Sequence, residues 1–157
     1  MIAYIQGKIT MKTPSYVYID IGGLAYHVEI SMHTFSQIEV KKEVKLFTHL
    51  QIKEDGHFLY GFYEEKEREL FRLLISVSGI GPSTAQVILS SMRPDEIVNA
   101  IFAEQDSNFK NVKGIGVKTA KRIILDLKDK IKKLDMGEPG SFVMEGGNTL
   151  RTEVLSA

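Results

Sequence analysis

One segment of this chain occurs twice, and its residue types suit the binding of anions. Val77-Ser78-Gly79-Ile80-Gly81-Pro82-Ser83-Thr84-Ala85 recurs 35 residues later as Val112-Lys113-Gly114-Ile115-Gly116-Val117-Lys118-Thr119-Ala120. In each copy an apolar helical stretch meets Gly-Ile-Gly and a new helix begins, with Ala four residues beyond the second Gly. The glycines permit a tight turn and keep side chains off the backbone, while Ile80 and Ile115 can plug the turn into a core. The helix that follows starts with unpaired N–H groups and the positive end of its dipole, which is where phosphates bind. Gly79, Gly81 and Ser83 in one copy, and Gly114, Gly116, Lys118 and Thr119 in the other, could therefore hold successive phosphates of one DNA strand. Such contacts position a strand without reading its sequence. Lys118, Lys121 and Arg122 cluster around one helix end, where they add Coulomb attraction. A glycine turn between packed helices, with no ligand, is the plainer reading of one copy, and duplication counts against it.

Other phosphate chemistries fit less well. A dinucleotide fingerprint needs a third Gly where Thr84 and Thr119 stand, and no strand precedes either motif. A P-loop needs Gly-Lys-Ser/Thr in succession, whereas Gly116-Val117-Lys118-Thr119 puts Val between. His27, His33, His49 and His57 lack metal-ligand spacing, and alternation puts His49 and His57 on a sheet surface, so no metal is expected. The chain has no Cys, which excludes a disulfide framework and a thiolate zinc site. No Ser/His/Asp order, paired carboxylates or nucleotide motif points to catalysis, and no cofactor is expected.

The elements that must position these residues follow from periodicity. The first 64 residues alternate with period two. Val17, Ile19 and Ile21 share one face, Leu24, Tyr26, Val28 and Ile30 another, and Gly22-Gly23 between them suits a two-residue hairpin. Val44, Leu46, Thr48, Leu50 and Ile52 alternate up to Glu54-Asp55-Gly56, which turns the chain into Phe58, Tyr60 and Phe62. With Ile2–Thr10 this makes about five strands, enough for a small OB-type barrel. From Glu64 onward the period is helical. Leu70, Leu73, Leu74 and Val77 form one stripe, Pro82 and Pro94 suit first helical positions, and Ile97 and Ile101 continue the pattern. A last helix over about 117–134 buries Ala120, Ile123, Ile124, Leu127 and Ile131.

The expected class is α+β: an N-terminal OB-type β-barrel at 1–64 and an all-α tandem helix-hairpin-helix domain at 65–135. A Gly- and Pro-containing linker is expected at 136–150, with seven residues, 151–157, after it. The 157 residues carry 20 Lys plus Arg and 20 Asp plus Glu, but the charges are segregated. Residues 1–64 hold 6 Lys against 7 acids, residues 65–134 hold 13 Lys/Arg against 9 acids, and residues 135–157 hold one Arg against 4 acids. The middle segment is thus the one suited to a polyanion. No leader or membrane-spanning stretch is recognisable, so a soluble, cytoplasmic protein is expected.

In this order and spacing the chain resembles the RuvA family of Holliday-junction branch-migration proteins over about residues 1–135. Besides the paired hairpins, the resemblance rests on Met1-Ile2, Gly22-Gly23-Leu24-Ala25-Tyr26, Phe47-Thr48-His49, Lys53-Glu54-Asp55, Leu59-Tyr60-Gly61-Phe62, Glu67 to Phe71 and the Lys118-Thr119-Ala120 helix start. It implies binding of four-way junction DNA in recombination and repair, by a homotetramer or, with two tetramers, an octamer. It further implies a hexameric RuvB ATPase as motor partner and the RuvC junction resolvase as a second partner. A third helical domain would contact the motor, and only its opening is recognisable, at Leu150–Ala157. Family members often carry Lys at the positions of Ser83 and Val117, so the electrostatic part of binding is expected to be weaker here.

The resemblance also assigns Glu54 and Asp55 to an acidic pin, hairpin tips that meet at the junction centre. From composition alone they read as turn residues, since Asp-Gly favours a hairpin. As a pin, their charge repels the phosphates of a continuous duplex while strands separate around it. Lys128, Lys130, Lys132 and Lys133 read as a solvated helix surface. Two rival classes remain: a helix-hairpin-helix DNA glycosylase, for which Asp126 and Lys128 are the downstream candidates, and a single-strand-binding OB protein using Tyr16, Tyr18, Phe58 and Tyr60, which more often are sheet packing.

Overall fold

A computed structural model describes residues 1–134, so the expected linker at 136–150 and the helix start at 151–157 lie outside the described residues. Five strands form the first half: β1 (Tyr4–Lys12), β2 (Tyr16–Asp20), β3 (Ala25–Glu29), β4 (Glu43–Lys53) and β5 (Gly56–Phe62). They close into a barrel in the order β1-β2-β3-β5-β4. Neighbours are antiparallel except β3 and β5, which run parallel with Val28 opposite Leu59. The alternation turns Val17, Ile19, Val28, Val44 and Leu46 inward, where they meet Ile5, Ile30 and Leu59. Closure removes the free edges that an open sheet would present to another chain.

Ile21 and Leu24 depart from the expected faces and are exposed. The strands have already ended: the Ile21 N–H donates to the Leu24 carbonyl at 2.9 Å, and the Asp20 carboxylate accepts the Gly22 and Gly23 N–H groups at 2.8 and 2.7 Å. A second departure lies between β3 and β4, where the reading of strands alone misses a helix, α1 (Met32–Ile38). The Ser31 hydroxyl accepts the Thr34 N–H at 3.1 Å to start it. The Lys12 ammonium closes it, donating to the carbonyls of Ile38, Glu39 and Lys41 at 3.0, 2.6 and 2.8 Å.

The second half comprises α2 (Glu65–Ile75), α3 (Pro82–Ser91), α4 (Pro94–Phe102), α5 (Asp106–Lys110) and α6 (Val117–Leu134). Pro82 and Pro94 open their helices, where a missing N–H costs nothing. The Glu96 carboxylate accepts the Arg93 N–H at 2.8 Å and ties down the start of α4. Leu70, Leu74, Ile97, Ile101, Ala120, Ile123, Leu127 and Ile131 fall in one core, which also takes Tyr60 and Phe62 from β5. Phe71 joins the two halves, its ring 5.0 Å from that of Tyr60 and 5.1 Å from that of Phe62. Barrel and helices thus share a packed boundary along β5.

That boundary also holds charge. Glu67 is fully buried and accepts the hydroxyl hydrogens of Ser31 and, at 2.7 Å, Thr34. Burial raises its carboxyl above the ordinary glutamate value, against the lowering effect of these bonds and of nearby His33. An acid with a raised folded pKa favours the folded state while protonated. That contribution is complete below the unfolded value and is lost as pH rises through the folded one. Glu67→Gln, which stays neutral, is therefore expected to flatten the decline in stability over that window. Urea midpoints from about pH 4 to about pH 8 will show it; equal slopes for both proteins would overturn the assignment.

Candidate nucleic-acid interface

The two glycine hairpins are built alike, sharing three matched backbone bonds. The first joins α2 to α3 and the second joins α5 to α6. In the first, Val77 N–H donates to Leu74 at 3.1 Å, Ile80 N–H to Val77 at 3.1 Å and Ala85 N–H to Gly81 at 3.0 Å. In the second, Val112 N–H donates to Phe109 at 3.0 Å, Ile115 N–H to Val112 at 3.1 Å and Ala120 N–H to Gly116 at 3.0 Å. Gly79 and Gly114 have φ of 93° and 91°, a left-handed conformation that other residues rarely adopt. Ile80 and Ile115 are buried in the same core, so both turns are plugged as their apolar character suggests.

Gly81 and Gly116 need a different explanation. Gly81 has an extended backbone, with φ −95° and ψ 177°, that any residue could adopt. A Cβ at either position would meet no atom within 4 Å. Neither glycine is required by packing inside the protein. What their bareness does leave is open backbone at the start of α3 and of α6, where N–H groups point outward. A phosphate could approach there to hydrogen-bond distance.

The two copies differ in charge. Lys113, Lys118, Lys121 and Arg122 of the second copy stand where the first has Ser78, Ser83, Gln86 and Val87. All four cations are exposed. Among the described residues Lys118 and Lys121 make no ion pair, while Arg122 is paired to Asp126 one turn on, at 3.6 Å. Thr119 is half-buried beside them. Ser83 is exposed too, but with Gln86, Val87 and Ser90 it lines a cleft facing Pro14, Ser15 and Glu29 of the barrel. The second hairpin is thus the electrostatic one, and the first offers amides and hydroxyls.

Glu54 and Asp55 form the tip of the β4–β5 hairpin. Pairing runs to Lys53 opposite Gly56, which leaves only these two residues in the turn. Both are exposed, and among the described residues neither has an ion-pair partner. The neighbouring Lys53 lies over the Phe58 ring at 5.4 Å.

The other singled-out residues are absorbed by packing. His49 lies on the outer face of β4 but beneath α2, 5.4 Å from the Phe71 ring and 3.2 Å from Gln51. Its pKa is lowered by burial first and by the Arg72 and Arg68 charges. His27 stacks on Tyr16 at 4.6 Å and pairs with Glu29 at 2.6 Å, and His33 pairs with Glu64 at 3.3 Å. Asp126 is held by Arg122 and Lys128 by Glu104, so the two groups a glycosylase would need are tied in surface pairs. Phe58 and Tyr60 pack at the helical core. Sequence reasoning missed Glu67 and Arg68 as tertiary contacts, though a signal existed: Glu67 sits three and four residues before Leu70 and Phe71, on the stripe that α2 buries.

A closed barrel with an acidic hairpin tip, packed on twin glycine cradles beside a cationic helix start, defines a tandem helix-hairpin-helix protein suited to the backbone of DNA. Comparison with known proteins narrows this class. Residues 1–61 match the RuvA N terminal domain, and residues 71–129 match the SAM-like Helix-hairpin-helix tandem. The chain belongs to the RuvA family. A relative in Christiangramia forsetii is 52% identical over all of this chain and 80% of its own length, and one in Flavobacterium psychrophilum is 51% identical with the same coverage. A more distant relative in Pseudomonas syringae is 37% identical over all of this chain and 78% of its own length. Each of the three is named Holliday junction branch migration complex subunit RuvA.

Proposed function

We propose that this chain binds four-way DNA junctions as a non-catalytic subunit and holds them open for branch migration by a RuvB ATPase motor. The observation that carries the reading is the pair of cradles, Gly79-Ile80-Gly81 and Gly114-Ile115-Gly116, matched in three backbone bonds and bared at Gly81 and Gly116, which packing inside the fold does not require. Gly79, Gly81, Ser83, Gly114, Gly116 and Thr119 supply the backbone and hydroxyl contacts, and Lys118, Lys121 and Arg122 the charge. Glu54 and Asp55 form the pin. Residues 1–64 act as the pin-bearing domain and 65–135 as the phosphate-gripping domain. The relatives' shared name supports the junction and the motor partner.

A junction has four equivalent arms, and a cyclic homotetramer supplies four copies of one site through one repeated interface. Hydrolysis of ATP then belongs to the motor, and strand cutting to a separate resolvase such as RuvC, in the cytoplasm. Gel binding to a four-way junction, a duplex and a single strand, alongside a glycosylase assay, tests this. Preference for the junction with no base excision is expected, and light scattering should give a tetramer. A monomer at micromolar concentration that fails to assemble on junction DNA would overturn the symmetry argument.

A further inference from the structure

The leading helix of the first cradle is also bonded to the barrel through its side chains. Helix α2 runs through Ser76, Val77 and Ser78 directly into Gly79. At its other end Arg68 is 8% exposed and donates from Nη1 to the Ala3 carbonyl at 2.9 Å and, at 3.5 Å, to that of Thr48. Thr48 lies in β4, the strand that leads into Glu54 and Asp55. Its own N–H donates to the same Ala3 carbonyl at 3.1 Å, and its hydroxyl to Ile2 at 2.6 Å. The guanidinium also lies 5.5 Å from the Phe47 ring.

On the adjacent position Glu67 bonds instead to Ser31 and Thr34 at the start of α1. Further along α2, Arg72 Nε donates to His49 Nδ1 of β4 at 3.4 Å. Bonds to α1 on one side and to β4 on the other fix both the rotation of α2 and its position along the barrel.

The chemistry is costly for mere adhesion. Arg68 Nε is buried with no hydrogen-bond partner, and an unsatisfied buried donor destabilises a fold. Apolar residues of similar volume often replace buried charges without loss of stability. What directional bonds supply beyond burial is one defined geometry.

We propose that Arg68 and Glu67 are positioning residues for junction selectivity: Arg68 clamps the helix leading into the first phosphate cradle to the strand bearing the acidic tip, Glu67 ties the same helix to α1, and together they fix the spacing between cradle and tip. The inference rests on the pin reading of Glu54 and Asp55. A duplex on the cradles does not require the tip to be in register with them. A junction, gripped at its arms and probed at its centre, does.

The test is a double-mutant cycle on junction and duplex affinities. Arg68→Met keeps the long apolar stem and removes the directional bonds. It is expected to leave duplex affinity within about twofold, to lower the junction-to-duplex preference at least about fivefold, and to make Glu54→Gln with Asp55→Asn silent in its background. A clamp that served stability alone would lower the melting temperature and leave the preference unchanged. Equal effects of the tip substitutions with and without Arg68→Met would overturn the proposal. If the tip substitutions are silent in the otherwise native protein, the pin reading fails. The clamp, which rests on that reading, falls with it, whereas tip substitutions that act in the native protein and equally beside Arg68→Met overturn the clamp and leave the pin. Should Arg68→Met not fold, Arg68→Lys keeps the charge and a donor for Ala3 and loses the second bond. It is expected to lower the preference by a smaller factor, and an unchanged preference would overturn the clamp.

Discussion

Gly116→Val is expected to weaken binding to junction and duplex alike, by roughly tenfold to a hundredfold, because charge-assisted hydrogen bonds of about 1.5–3 kcal/mol are put out of reach. The substitution is informative because the fold tolerates it. A Cβ at Gly116 meets no atom within 4 Å, Ile115 remains the buried plug, and the Ala120 N–H still finds the Gly116 carbonyl. Valine is a poorer residue than glycine at a helix start, so a stability loss of about 1 kcal/mol is expected. The bulk of the isopropyl group then falls outside the protein, across the path of an approaching phosphate.

Gly114→Val would not discriminate in this way, since φ of 91° strains any other side chain and unfolding would mimic lost binding. Lys118→Ala gives the complementary result. One phosphate loses its cation, so the slope of log affinity against log salt should shrink by about one, whereas Gly116→Val should weaken binding at every salt concentration. Fluorescence anisotropy across a salt series reads both. Normal junction binding by a folded Gly116→Val protein would end the cradle reading.

How far these features could be read from residue order depends on where their energy comes from. The barrel core was legible because alternation over β2, β3 and β4 is a local consequence of the pleat. The span of α6 was legible because Ala120, Ile123, Ile124, Leu127 and Ile131 repeat with the helical period over 18 residues. Helix α1 was not, for it has only 7 residues and its ends are held from outside, by Lys12 below it and Glu67 across from it. Ile21 and Leu24 continue the alternation in register, yet the Asp20 side chain diverts the chain into the turn before them. In the candidate interface, repetition made the cradles visible. The clamp was hidden because a buried Arg68 makes sense only with Ala3, 65 residues away along the chain. Nor could spacing say which glycines are required by backbone conformation and which are bare for some other reason; the surroundings of all four are empty, and the positive φ angles alone separate Gly79 and Gly114 from Gly81 and Gly116.

Neutralising the hairpin tip is expected to erode discrimination while barely touching the fold. Glu54→Gln with Asp55→Asn keeps the size of both side chains and most of the turn propensity, and it removes two exposed charges that have no ion-pair partner among the described residues. The turn itself should hold, since Gly56 keeps its φ of 152° and Lys53 its pairing across the hairpin. If the carboxylates act by repelling phosphates, a continuous duplex crossing the tip suffers most, because its backbones cannot separate around it. The double substitution should therefore tighten duplex binding more than junction binding. The difference should be largest at low salt and shrink as the screening length falls to about 10 Å near 0.1 M. Steric exclusion would show no such salt dependence, because the neutral amides fill the same space. Should the junction-to-duplex preference stay unchanged at low salt, Glu54 and Asp55 are turn residues only, and selectivity must come from the arrangement of the cradles around the assembled junction.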